Sequence, residues 1–116
     1  MNRQEEIVSS YFQFLDQHIE DVIQGKCSEF FELNQIATAL NISHVHLTDI
    51  VQKQQGHHPC YFYDLKIIEK AEYYLKKTDW TVAKIALTFT YDPSNFSKFF
   101  KKWTGKTPLQ FRKNKT

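Results

Sequence analysis

The residues of this chain that could do chemistry are few, and their spacing narrows what that chemistry is. Four of the five histidines crowd into one stretch, as His44, His46, His57 and His58. A zinc site needs ligands that converge, and His44 and His46, two apart on a helix, do not share a face. No Cys-x-x-Cys or His-x-x-x-His pair occurs, and Cys27 and Cys60 follow no disulfide or zinc spacing. That cysteine usage fits a reducing, cytoplasmic compartment. There is no Gly-rich phosphate loop, no serine elbow and no pair of carboxylates in a catalytic setting. The chain therefore reads as a non-enzyme that needs neither metal nor cofactor.

Charge is more informative in its placement than in its sum. The formal net charge of +2 hides a gradient. Residues 1–32 carry seven acids and two bases, and residues 33–92 carry six of each. Residues 93–116 carry seven bases (Lys98, Lys101, Lys102, Lys106, Arg112, Lys113 and Lys115) and no acid. A basic end suits a polyanion, because each phosphate it neutralises releases condensed counterions. A solvated tail explains the charge equally well when charge is considered alone.

These side chains must be positioned by helices. With 41% hydrophobic and 16% aromatic residues among 116, the chain has the material for a packed core, in one domain or two very small ones on a shared scaffold. Residues 3–24 predict an amphipathic helix. It starts at a capping-box-like Asn2 and Glu5, stops at Gly25, and buries Ile7, Tyr11, Leu15, Ile19 and Val22. Residues 26–32 form a joint. A second long helix is expected over residues 60–77, with Phe62, Leu65, Ile68, Ala71 and Leu75 facing inward and Cys60 packed at its start. No run alternates as a strand does, so the fold class is all-α. Nothing resembles a signal peptide or a membrane span.

An internal repeat organises the rest. Ile36-Ala37 matches Ile85-Ala86, Leu40 matches Phe89, Ile42 matches Tyr91, and Leu47 matches Phe96. Ile50 and Val51 match Phe99 and Phe100, Lys53 matches Lys102, Gly56 matches Gly105, Pro59 matches Pro108, and Phe62 matches Phe111. Every pair is 49 residues apart without a gap, which marks a duplicated supersecondary unit. In the first unit Leu33, Ile36, Ala37 and Leu40 give a short helix. Asn41-Ile42 turns, and Ser43 caps a second helix that carries Leu47, Ile50 and Val51 inward and ends before Gly56. In the second unit Thr81 caps a helix bearing Val82, Ile85, Ala86 and Phe89. Asp92 then caps the next, which opens with Pro93 and ends at Gly105. Ala37 and Ala86 are small where two steeply crossed helices meet. This is the helix-turn-helix plan, whose second helix lies in a DNA major groove.

Over residues 7–113 the chain resembles the DNA-binding domain of AraC/XylS-type transcription regulators. The match rests on Ile36-Ala37-x-x-Leu40-Asn41-Ile42-Ser43-x-x-x-Leu47 and Gly56-x-x-Pro59-x-x-Phe62. It continues through Ile85-Ala86, Asp92-Pro93-Ser94-Asn95-Phe96-Ser97-Lys98-x-Phe100-Lys101-Lys102 and Gly105-Lys106-Thr107-Pro108-x-x-Phe111-Arg112. The resemblance implies about seven helices: a first helix-turn-helix subdomain (residues 1–59), a linker helix (60–77) and a second subdomain (78–116). It implies that the two recognition helices enter successive major grooves on one face of double-stranded DNA. RNA polymerase is implied as a protein partner, and a membrane is not. The base-facing positions that it implies are His44, Val45, Thr48, Asp49 and Gln52 in the first helix, and Pro93, Ser94, Ser97, Lys98 and Lys101 in the second. Lys53, Lys102, Lys106 and Arg112 are expected at phosphates, and the clustered histidines face DNA or solvent.

Three departures from the family pattern stand out. The second turn, Phe89-Thr90-Tyr91-Asp92, is one residue short and lacks the usual Gly. Ile67 replaces an Arg early in the linker helix, and Lys66 points about 100° away. Asp49 stands where the family often has a base. Pro59-Cys60 is similar to the nucleophile segment of alkyl-transfer repair enzymes, but Tyr61-Phe62 follow in place of the expected His-Arg. A module that kept this fold and lost DNA binding is the rival expectation. A helix capped at Asn2, right after Met1, fits a stand-alone regulator, monomeric on DNA, and equally the end of a longer one.

Overall fold

Local signals set the helix boundaries in the computed structural model, which describes residues 2–114. Lys115, counted in the basic end, lies outside the described residues. Helix α1 is Arg3–Ile23, and its N-cap Asn2 accepts the Glu5 amide at 2.8 Å. The first unit follows as α2 (Leu33–Ala39) and α3 (His44–Gln55), joined to the second by α4 (Pro59–Lys77). The second unit is α5 (Val82–Thr88) and α6 (Pro93–Thr104), closed by α7 (Pro108–Lys113). Among the described residues there is no strand, so the protein is all-α with seven helices.

The sequence repeat is also a backbone repeat. The bounds of α2 and α5, and of α3 and α6, differ by the same 49 residues. The turns match as well. Asn41 and Thr90 both sit in the left-handed region, at φ 59° and 61°. The amide of Ile42 then reaches back to Ala37 O, and that of Tyr91 to Ala86 O. Ser43 accepts the His46 amide, and Asp92 accepts those of Ser94 and Asn95. Gly56 and Gly105 end the second helices at φ 81° each, a conformation that glycine adopts without a Cβ penalty.

One continuous core runs through both units. Ile7, Tyr11, Leu15, Ile19 and Val22 are all buried on α1, as the periodicity predicts, together with Val8 and His18. In the units, Ile36, Ala37, Leu47, Ile50 and Val51 are buried on one side, and Ile85, Ala86, Phe89, Phe96 and Phe100 on the other. Leu33, Leu40, Val82 and Phe99 pack only half-buried at its margin.

Helix α4 buries a face rotated from the expected one. Its buried residues are Pro59, Tyr63, Ile67, Ile68, Ala71 and Leu75, while Phe62 and Leu65 are half-buried. The reason is that α4 is packed on more than one side, by α1 and α3 and by α5, α6 and α7. Cys60 is exposed at the helix start rather than packed. Ile67, in the place of the family's Arg, is core, and Lys66 turns to Asp16 of α1 at 2.7 Å. The Tyr11 hydroxyl donates to Pro59 O at 2.8 Å and ties α1 to the start of α4.

Candidate nucleic-acid interface

The stripes that the core leaves outward on α3 and α6 are the candidate interface. On a helix, residues three and four apart are neighbours, so Val45, Thr48, Asp49 and Gln52 share a stripe, as do Ser94, Ser97, Lys98 and Lys101. His44, Val45, Asp49 and Gln52 are exposed, and Thr48 is half-buried. The second set follows the same pattern, with Ser94, Lys98 and Lys101 exposed and Ser97 half-buried. The caps fix where each stripe begins, and Pro93, half-buried, takes the first helical position of α6, where its missing N–H costs nothing. The short second turn therefore copies the first one, and α6 presents its residues in the register of α3.

The structure gathers the first set closely. His44, Val45, Thr48, Asp49, Gln52 and Lys53 line one open depression of about 470 Å³, and His58 joins them. His58 was legible only as one of four clustered histidines. Here its Nδ1 caps α4 by accepting the Cys60 amide at 3.0 Å. Asp49 and Lys53 form an ion pair at 3.2 Å, both more than half exposed, so charge cancels on this stripe. Such a pair is weak, about 0.3–0.5 kcal/mol, and yields to a stronger partner.

On the second stripe Lys98, Lys101 and Lys102 face solvent with no acid among the residues of α6 itself. Lys102 also acts on Asp64 of α4. Burial pushes that carboxyl above its ordinary range, and Lys102 pulls it back down. Lys106 lies apart, past the Gly105 turn, over a shallow surface with Gln110, Lys113 and Asn114.

Arg112 has an internal role that the sequence did not reveal. Its Nε donates to Leu75 O at 3.0 Å and its guanidinium also reaches Thr78 O at 3.3 Å. It thereby satisfies carbonyls at the C-terminal end of α4 and pins α7 there. Lys76 of α4 donates to Asn114 O, just past the end of α7.

A second feature missed in the sequence is the clamp on the joint at residues 26–32. The Phe31 amide donates to Nε2 of buried His18 at 2.9 Å, and the Tyr63 hydroxyl donates to Phe31 O at 3.0 Å. His18 must be neutral to accept that bond, and burial lowers its pKa accordingly. Phe30 leans on Tyr91, with centroids 6.3 Å apart, so the joint of the first unit touches the turn of the second. Among the described residues no three His, Cys, Asp or Glu side chains come together as a metal set. Nor, among those residues, is any helix long and apolar enough to cross a membrane.

Comparison with known proteins agrees with this geometry. A model of a helix-turn-helix domain family matches residues 36–114. The C-terminal domain of AraT, a response regulator from Geobacillus stearothermophilus, is 27% identical with a TM-score of 0.83, the match covering 99% of this chain and 90% of that one. An AraC-type regulator from Chromobacterium violaceum is 17% identical with a TM-score of 0.77, over 93% of this chain and 90% of that one. The DNA-binding domain of AdpA, solved with a target DNA, is 17% identical with a TM-score of 0.72, over 97% and 91% of the two chains. The two at 17% identity share the fold. No curated protein matches the chain.

Proposed function

The chain belongs to the AraC-type helix-turn-helix family, and on that premise we propose that it is a DNA-binding transcription regulator that reads two successive major grooves with α3 and α6. One observation carries the reading: two units with the same backbone turn their second helices' polar stripes outward in the same register. A helical hairpin kept only for packing would also turn polar residues to water, but it has no need of Lys98, Lys101 and Lys102 gathered on α6 with no acid in that helix. Base edges would be read by His44, Val45, Thr48, Asp49 and Gln52 on α3 and by Ser94, Ser97, Lys98 and Lys101 on α6. Phosphates would be met by Lys53, Lys102 and Lys106. Arg112 contributes mainly by holding α7, which leaves it little freedom to follow a phosphate.

Both reading heads lie on one chain and differ in side chains, so the site is asymmetric and bound by a monomer. Its half-sites lie about 10 bp apart, one helical turn. RNA polymerase is the protein partner expected of a regulator so bound, and the bacterial cytoplasm is where it would act. The test is selection of bound duplexes from random DNA, followed by footprinting and binding at low and high salt. A bipartite, non-palindromic site with one chain per duplex supports the reading. A palindrome with two chains per site overturns the monomeric mode. Failure to enrich any sequence, with salt-independent or absent binding, favours instead an interaction module, for which the cancelled charge on α3 and the acidic first helix would be the motive.

A further inference from the structure

The outer stripe of α3 carries information about which bases it would choose. Val45 is 66% exposed, the highest value among the exposed large hydrophobic side chains of the described residues. A lone valine on a surface is ordinary. This one lies in the depression described above, with Thr48 one turn on and Gln52 beyond. Asp49 and Lys53 pair at 3.2 Å, so together they add no net charge to the stripe. The stripe thus offers aliphatic methyl groups and one amide, with little net charge. In a major groove the base feature that an apolar side chain recognises is the C5-methyl group of thymine, while Gln suits adenine N6 and N7. The equivalent of Val45 on α6 is Ser94, which has no methyl to offer, and the equivalent of Asp49 is Lys98.

We infer that the first unit selects one base pair of its half-site by packing Val45 against the C5-methyl group of a thymine, so that discrimination at that base pair is apolar. The inference rests on α3 being a major-groove helix, as proposed above. Thr48 flanks the contact, and Gln52 is placed for a base further along the groove.

The experiment uses the full chain and the duplex selected from random DNA. Each thymine of that duplex is replaced in turn by deoxyuridine, which removes only the methyl group. At one thymine the affinity should fall about fourfold, the factor expected for burying a single methyl. In the Val45→Ser variant that same replacement should make no difference, while the other positions behave as in the parent. Val45 is outside the core, so circular dichroism should show the helices intact. The inference is overturned if no replacement matters, if the half-site read by α3 has no thymine, or if the loss persists in Val45→Ser. In each of these outcomes a specific site exists and the DNA-reading function stands. If no specific site can be selected at all, both that function and this inference fall.

Discussion

In the first unit the inner face of the second helix is Leu47, Ile50 and Val51; in the second unit the same positions hold Phe96, Phe99 and Phe100. Leu47 and Phe96 are both fully buried, as are Val51 and Phe100. Phe96 lies among Phe89, Tyr91 and Phe100 with ring centroids 6.0–6.3 Å apart, an aromatic cluster where the first unit has aliphatic contacts. The outward faces diverge further. Asp49 pairs with Lys53 on α3, whereas Lys98 and Lys102 at the same positions repel each other on α6. Yet the caps, the left-handed turn residues, the alanines and the terminal glycines coincide. A few backbone signals and two small residues therefore define the unit. The filling of its core is interchangeable within volume limits, and its outward stripe is free to be specialised.

The largest effect should come from the core. Phe96→Ala should cost about 3–5 kcal/mol and Leu47→Ala about 2–5 kcal/mol, since both side chains are wholly buried. Urea denaturation checks this. If Phe96→Ala is nearly neutral, the aromatic cluster is not the core of the second unit. The next effect separates the bases on α6. Lys98→Ala should relax preference at one or two base pairs, by about 1–3 kcal/mol of discrimination. Lys102→Ala and Lys106→Ala should weaken specific and scrambled duplexes alike and lower the salt slope by about 1 each. If all three lose both kinds of binding in equal proportion, Lys98 reads no base.

Asp49→Lys would give the first stripe the charge of the second. It should tighten binding to scrambled DNA and steepen the salt slope by about 1. An unchanged slope would mean that the α3 stripe does not face the duplex. The turns supply a smaller effect. Thr90, β-branched at φ 61°, occupies the place that Asn41 fills at φ 59°. Asn tolerates this region far better, so Thr90→Asn should stabilise the chain by about 1 kcal/mol, read as a rise in Tm. Asn41→Thr should do the reverse.

The smallest effect concerns the clamp, which the second unit lacks. Burial lowers the His18 pKa in the folded chain, so the unfolded chain binds the proton more readily. Stability from neutral His18 is present above the unfolded value of about 6.5 and is lost as pH falls from there through the folded value. His18→Gln should flatten that part of the stability–pH curve. A slope that survives the substitution places the titrating group elsewhere.

The boundaries of α1, the joint, both turns and both terminal glycines were legible in the sequence because they are local. An Asn or Ser at a cap, a Gly after a helix and a 3.6-residue rhythm act within a few residues and leave their mark there. The outward stripes were legible for the same reason, since the inner face of a short helix defines the outer one. The extent of α4 was legible too, but its buried face was not, because Pro59, Tyr63, Ile67, Ala71 and Leu75 form a row rotated from the one through Phe62 and Leu65, and packing from both units selects between them. Nothing around Arg112 says that it will close the end of α4, 37 residues earlier in the chain. Nor does the sequence near His18 say that it will hold the Phe31 amide. By itself the sequence determined the helices, their caps and the repeated unit, because those depend on short-range sterics and hydrogen bonding. The tertiary structure alone decided which polar groups are consumed internally and which remain for a partner, because that depends on which distant carbonyls and amides the packed helices bring within reach.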